Sequence, residues 1–477
     1  MRTSLQNTIV QRDTWRLSRP LQLGIALNNS PASKIPLVAK LVALTAFFPQ
    51  ELSFYVFGLR LTAVRVIFLL TFPILLGMFG HKIATGHYRF VVSDLFVFLT
   101  GFWLIYGPAN IDGLIPALNH AGPDVLEFCT AYMTTRFALQ RHDEAVKFVQ
   151  LLCKIIAFVA IIGLLDSITS SYFVRDLSRH LTGFNATNIN DWSDSYRLGI
   201  LRATGPIEHP ILYGFTCVVG VILAVNIRVG ARILIISLSA LGTIFSFSSA
   251  PLQCLILSFC LLIYGRKMAG VRFRWTALLV VLTVGIILIV LISASPIGFI
   301  SSHFIYDSSS GYYRSWTWDR VIYYVSQSPW YGLGYGIQPD DINHSIDSLW
   351  LVLAIHAGVP GALLTAICLI GSASIPTNGR TVNLSGIESR LGTALGILIF
   401  ITIYMAFTVH LWGSVWILIG LIAGLRGHLG ELGQLPPEVF ANIKESQTRF
   451  RPVRRFSRSL VATRDIKSVC MSESFKR

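Results

Sequence analysis

Residues 276–299 read Thr276-Ala-Leu-Leu-Val-Val-Leu-Thr-Val-Gly-Ile-Ile-Leu-Ile-Val-Leu-Ile-Ser-Ala-Ser-Pro-Ile-Gly-Phe299, a run of 24 positions without one charged side chain. A bilayer core about 30 Å thick is crossed by about 20 apolar residues of helix. A run of this length therefore predicts a membrane span. Working outward, eleven further apolar stretches follow the same pattern, at 35–49, 61–79, 90–106, 121–138, 148–168, 209–227, 233–249, 251–264, 348–371, 391–408 and 412–425. The whole chain of 477 residues is 53% hydrophobic and only 13% charged, with a mean hydropathy of +0.61. Soluble domains carry about 25% charged residues, so an ordinary soluble enzyme, a disordered chain and a nucleic-acid-binding module are all excluded. The expected fold is an all-α polytopic membrane protein of about 12 transmembrane helices.

The formal net charge of +15 is explained by topology. With the N-terminus inside and twelve crossings, 29 Lys and Arg fall in inside segments and 7 in outside ones. Cytoplasmic segments of membrane proteins are enriched in this way, so no nucleic-acid partner is implied. The expected organisation is a cytoplasmic segment 1–34, a transmembrane domain 35–425 and a basic cytoplasmic tail 426–477. Arg449, Arg451, Arg454, Arg455 and Arg458 of that tail would lie against anionic headgroups. The first 34 residues lack a signal-peptide pattern, so the first span is expected to do the targeting. The seven cysteines avoid long polar loops, and no extracytoplasmic disulfide is expected. Inside the spans Arg65, Asp94 and Lys154 are the clearest ionisable groups. Arg65 with Asp94 is one pairing, and snorkelling to the interface is the other reading.

Two outward loops are long, 172–208 and 300–347. The first contains Arg197 and Arg202 and runs through Glu208-His209-Pro210 into a span. Pro210 suits a first helical turn, and Glu208 suits the positive helix end. The second contains Arg314, Trp316, Trp318, Asp319 and Arg320. Trp318, Val321, Ile322 and Val325 share one helical face, which predicts an amphipathic surface helix over 315–327. Asp340, Asp341, His344 and Asp347 follow; they are metal ligands by type, but no spacing compels a metal, and no metal or cofactor is expected. Tryptophan and tyrosine faces (Trp316, Trp318, Tyr331, Tyr335) suit stacking on pyranose rings, or an interfacial aromatic belt.

Four elements in order resemble the O-antigen ligase and O-antigen/exopolysaccharide polymerase family. They are Arg202-x-x-Gly205-x-x-x-His209-Pro210-x-x-x-Gly214, Arg314-x-Trp316, Ser328-Pro329-x-x-Gly332-x-Gly334-x-Gly336, and Asp347-Ser348-x-x-Leu351 leading to Gly358-x-x-Gly361. The resemblance implies a metal-independent, GT-C-like glycosyltransferase of the bacterial inner membrane. Its substrate would be an oligosaccharide on undecaprenyl diphosphate, met on the periplasmic side, with membrane lipids, a chain-length regulator and export proteins as further partners. The family's histidine position falls on Asp347, and His344 lies one helical turn earlier. Arginine forks suit a diphosphate leaving group. Arg202 and Arg314 are thus the expected catalytic arginines, with Arg197, Arg320, Glu208 and His209 beside the substrate. The candidates for the base are His344, Asp347, His209 and Glu208, in that order. A polysaccharide polymerase is the first reading. A ligase to lipid A core or another acceptor is the second, and a lipid-linked sugar flippase or transporter the third.

Overall fold

The computed structural model describes residues 34–56, 59–86, 88–184, 195–271, 273–292, 308–336, 346–376 and 386–433. These hold α1 (Leu37–Thr45), α2 (Ala63–Ala84), α3 (Val92–Asp112), α4 (Leu114–Met133), α5 (His142–Thr169), α6 (Phe173–Thr182) and α7 (Pro210–Asn226). There follow α8 (Arg232–Phe245), α9 (Ser249–Lys267), α10 (Arg274–Ile292), α11 (Ser308–Gln327), α12 (Leu349–Ser374), α13 (Gly386–Ala406) and α14 (Gly413–Gly433). The fold is helical, and among the described residues seven helices are long and apolar enough to cross a membrane: α2, α3, α5, α9, α12, α13 and α14. The apolar helices α7, α8 and α10 are shorter. In hydrocarbon each backbone polar group must be bonded within the protein, which selects helices.

The helical bundle is not purely α. Antiparallel strands β1 (Ser53–Val56) and β2 (Leu59–Thr62) form a hairpin that leads into α2. A second short hairpin, β3 (Tyr196–Arg197) and β4 (Ile200–Leu201), lies in the first long loop. Thr62 ends β2 and caps α2, its hydroxyl accepting from the Arg65 amide at 3.2 Å. The helix α14 runs on to Gly433, beyond the span boundary expected at 425.

The most enclosed spanning helix is α14, 94% of its apolar window being buried, against 22% for α2. It meets α4 backbone to backbone: a Cβ on Gly424 would stand 2.2 Å from the Tyr132 carbonyl oxygen. Small residues permit this approach, and van der Waals packing then holds helices together without a hydrophobic driving force. Past Met133, α4 continues as one turn of π-helix, Thr134–Ala138. The turn carries Arg136, fully buried, into a four-membered charge cluster. Arg136 Nε and Nη2 fork onto Asp94 at 2.8 and 2.9 Å, and Nη1 meets Glu431. Lys82 completes the cluster at 3.2 Å from Glu431. The pairing expected between Arg65 and Asp94 is therefore not formed; Arg65 pairs with Glu127 at 3.0 Å. Adjacency of spans left Arg65 two readings, pairing with Asp94 or snorkelling, and the structure gives it Glu127 of α4 instead.

The second loop's amphipathic helix is α11, longer at its start than the expected 315–327. Val321 and Val325 pack with Leu351 and Ile355 of α12, while Ile322 remains 52% exposed. The first loop holds an amphipathic helix too, α6, which the sequence reading did not place.

Candidate functional site

After β4 the chain packs on α5 at Thr204 and Gly205. Gly205, at φ +58°, comes within 3.2 Å of the Gly163 amide nitrogen and the Val159 carbonyl oxygen by the position of a would-be Cβ, so only glycine fits. Asp166 near the end of α5 accepts from the Gly205 amide at 2.7 Å and from the Thr204 hydroxyl at 3.3 Å. The Ala203 amide donates to the Phe245 carbonyl at 2.9 Å. Arg202, 3% exposed, donates Nε to the Ser246 carbonyl at 3.1 Å. Arg197 donates Nη1 to the Phe247 carbonyl at 2.9 Å. Both arginines thus hold successive carbonyls of the turn between α8 and α9. Tyr172 donates to the Arg202 carbonyl at 3.4 Å, and burial pushes its phenol up to about 12.

Glu208 is buried where the loop enters α7. Its Oε1 accepts from Gln50 Nε2, the Ser414 amide and the Ser414 hydroxyl, each at 3.1 Å. Its Oε2 is buried and has no partner among the described residues. Burial raises this carboxyl to about 7, against the backbone and Ser414 hydrogen bonds and the Arg175 charge, which all lower it. The Glu208 carbonyl accepts from Arg175 Nη1 at 3.3 Å. The same guanidinium holds Glu51 Oε1 through Nε at 2.7 Å and Nη2 at 2.6 Å. His209 caps α7, its Nδ1 accepting from the Ile211 amide at 3.1 Å. In the neutral ring the proton therefore sits on Nε2. Arg202, Arg175 and Arg197 all lie within electrostatic reach of this imidazole.

In the second loop the glycine-rich stretch is a fitted plug. The Tyr335 and Gly336 amides donate to the Asp112 carboxylate, at 2.5 and 3.4 Å. At Gly334, φ +69°, a Cβ would meet Asp112 Oδ2 at 2.3 Å. Residues 329–333 reach a break in α12 at Gly358, where φ is +71°. The Leu333 amide donates to the Ile355 carbonyl at 2.6 Å, and the Val359 amide to the Pro329 carbonyl at 2.8 Å. Trp103 Nε1 donates to the Ala357 carbonyl at 3.0 Å, so the groups freed by the break are bonded again. The sequence elements Ser328–Gly336 and Gly358, 22 residues apart at their closest, meet in space.

Tyr335 stacks on the imidazoles of His356, at 4.4 Å, and His120, at 5.0 Å. Its ring is engaged by protein rather than offered to a sugar. Trp318 stacks on Phe407 at 6.1 Å. Asp347 lines a narrow cavity with Thr317, Trp318, Ser348, Phe407 and Thr408. Beside it an apolar groove of about 380 Å³ runs between α11 and α12, lined by Trp318, Val321, Val325, Trp350 and Val359. Trp316 and Arg320 are half-buried on α11. Arg314 lies on α11, with its side chain outside the described residues, as is all of His344.

The turn 407–412 between α13 and α14 joins the two loops. On one side Phe407 and Thr408 meet Trp318 and Asp347. On the other, Trp412 lies 6.0 Å from the His209 ring and Ser414 holds Glu208. His410 sits between them, 5.1 Å from Trp412; burial, then His356, lowers it to about 4. Glu51, Asp166, Arg175, His410 and Ser414 are site residues that sequence reasoning missed. Only Asp166, a carboxylate ending an apolar run, carried a visible signal. Among the described residues no group of three or more His, Cys, Asp or Glu is arranged to hold a metal ion. No protein-family model matches the chain, and no curated protein does.

Proposed function

We propose that the protein is a membrane glycosyltransferase that transfers an oligosaccharide from a lipid diphosphate to an acceptor hydroxyl, joining repeat units as a polysaccharide polymerase. The observation that carries the reading is that Arg202 and Arg197 are held on the successive Ser246 and Phe247 carbonyls, on the segment that runs into the α7 N-terminus capped by His209. Two fixed cations and a helix N-terminus suit anionic oxygens. Twelve crossings, with both long loops outside and both termini in the cytoplasm, set this site at the outer membrane edge.

In this reaction the bond between the sugar's anomeric carbon and the diphosphate oxygen breaks. The acceptor oxygen bonds to that carbon, and its proton passes to a base. Charge grows on the departing diphosphate, and Arg202 with Arg314 stabilises it. The polyprenyl chain lies in the apolar groove beside α11. The base is sought among Asp347 with His344 on one side of the 407–412 turn and Glu208 on the other. A ligase would use the same groups with a different acceptor. Deleting the gene separates these. Single repeat units left on the carrier mark a polymerase, and long carrier-bound chains mark a ligase. An unchanged glycan-lipid profile rejects both.

A further inference from the structure

The helix α6 buries Arg175 and Ser178 and turns Phe173, Leu177 and Leu181 outward, with His180 exposed on the same side near its C-terminal end. Tyr172, Arg175 and Ser178 are buried, and Arg175 reaches Glu51 and the Glu208 carbonyl. Phe173, Leu177 and Leu181 are 67%, 47% and 72% exposed, at helical spacing on the opposite face. Three large exposed apolar side chains on ten residues oppose the usual surface pattern, in which the apolar stripe faces the core. The stripe also continues one that precedes it. On α5, Phe158, Ile161, Leu165 and Ile168 are exposed along one side of a helix able to cross the membrane. Ser170, in the left-handed conformation at φ 53°, turns the chain from α5 into α6. Lipid-facing surface on α5 thus runs directly into the outward face of α6.

We infer that α6 is an interfacial membrane helix, with Phe173, Leu177 and Leu181 among the acyl chains of the outer leaflet. A helix lying in the interface buries its apolar face about 5–10 Å into the headgroup boundary. Its polar face then clamps the turn before α7 through Arg175. The depth of the lipid headgroups thereby fixes the height of the Arg202–His209 segment. This inference rests on the chain's being embedded in a membrane and is independent of the transfer reaction.

The test uses the full-length protein in lipid vesicles, with Cys260 and Cys470 replaced by serine. Nitroxide is attached in turn to Phe173→Cys, Leu177→Cys, Leu181→Cys and, as a reference at the flank of the helix, Asp176→Cys. Molecular oxygen concentrates in hydrocarbon and a nickel chelate in water. The oxygen-to-nickel accessibility ratio should be severalfold higher at 173, 177 and 181 than at 176. A nickel-dominated signal at Leu177 and Leu181 places the face in water and overturns the inference. Protection from both reagents means that protein covers the face, a second copy included, and overturns it equally.

Discussion

Arg202 shows what a single side chain at this site has to do. Its Nε is committed to the Ser246 carbonyl, which fixes the plane of the guanidinium fork. Lysine keeps the charge but neither the anchor nor the fork. Arg202→Lys should therefore lose about 10²–10³ in transfer rate, nearly as much as Arg202→Ala, measured with a lipid-linked donor at equal protein level. Glu208 makes a prediction in pH. An acid whose carboxyl is raised from 4.5 to about 7 holds its proton more tightly folded than unfolded. Its contribution is complete below pH 4.5 and is lost as pH rises through 7. Thermal stability in detergent should thus fall across that window, by on the order of 3 kcal/mol for a shift of this size. Glu208→Gln should flatten the slope. A slope that survives in the glutamine variant assigns the titration to another group. Arg202, Glu208 and His209 were legible in sequence because they stand in a polar loop with Pro210 marking a helix start. Arg175 was not, because its importance lies in Glu51, 124 positions away.

At the scale of elements, the π-turn after α4 is the clearest case of structure hidden from pattern. An apolar run marks 121–138 as a span and says nothing of a register shift at its end. The partners of Arg136 lie 42 and 295 positions away, on α3 and α14. Removing one partner from a buried charge group leaves the others desolvated and unpaired, at a cost of about 3–5 kcal/mol. Arg136→Ala should lower thermal stability by that order, read as a fall in unfolding midpoint in detergent. Lys147→Ala is the control. Its pair with Asp143 is exposed and 3.6 Å apart, and such pairs contribute about 0–1 kcal/mol. Equal losses in the two variants would remove the cluster from any account of stability. The spanning helices were readable from apolar run length and α11 from its 3.6-residue spacing, whereas the two hairpins are built from strands of only two to four residues.

At the scale of the whole molecule, function depends on which end of the bundle faces out. One end gathers Lys82, Arg136, Asp94 and Glu431. The other gathers Glu51, Arg175, Arg202 and Glu208. Arg136 and Arg175 are each ion-paired within their own set, so these buried pairs do not orient the protein. The distribution along the chain does: 29 Lys and Arg fall in segments read as cytoplasmic and 7 in outward ones. Single cysteines at described, exposed positions test the assignment. Leu198, 91% exposed at the tip of the β3–β4 hairpin, belongs outside. Lys267, exposed at the end of α9, belongs inside. In intact spheroplasts an impermeant thiol reagent should label Leu198→Cys at once and Lys267→Cys only after lysis. Reversed labelling would place the arginine site in the cytoplasm, where an outward-facing lipid-linked donor cannot reach it. Labelling of both before lysis would show that the stretch between them, α7 to α9, does not cross the membrane an odd number of times.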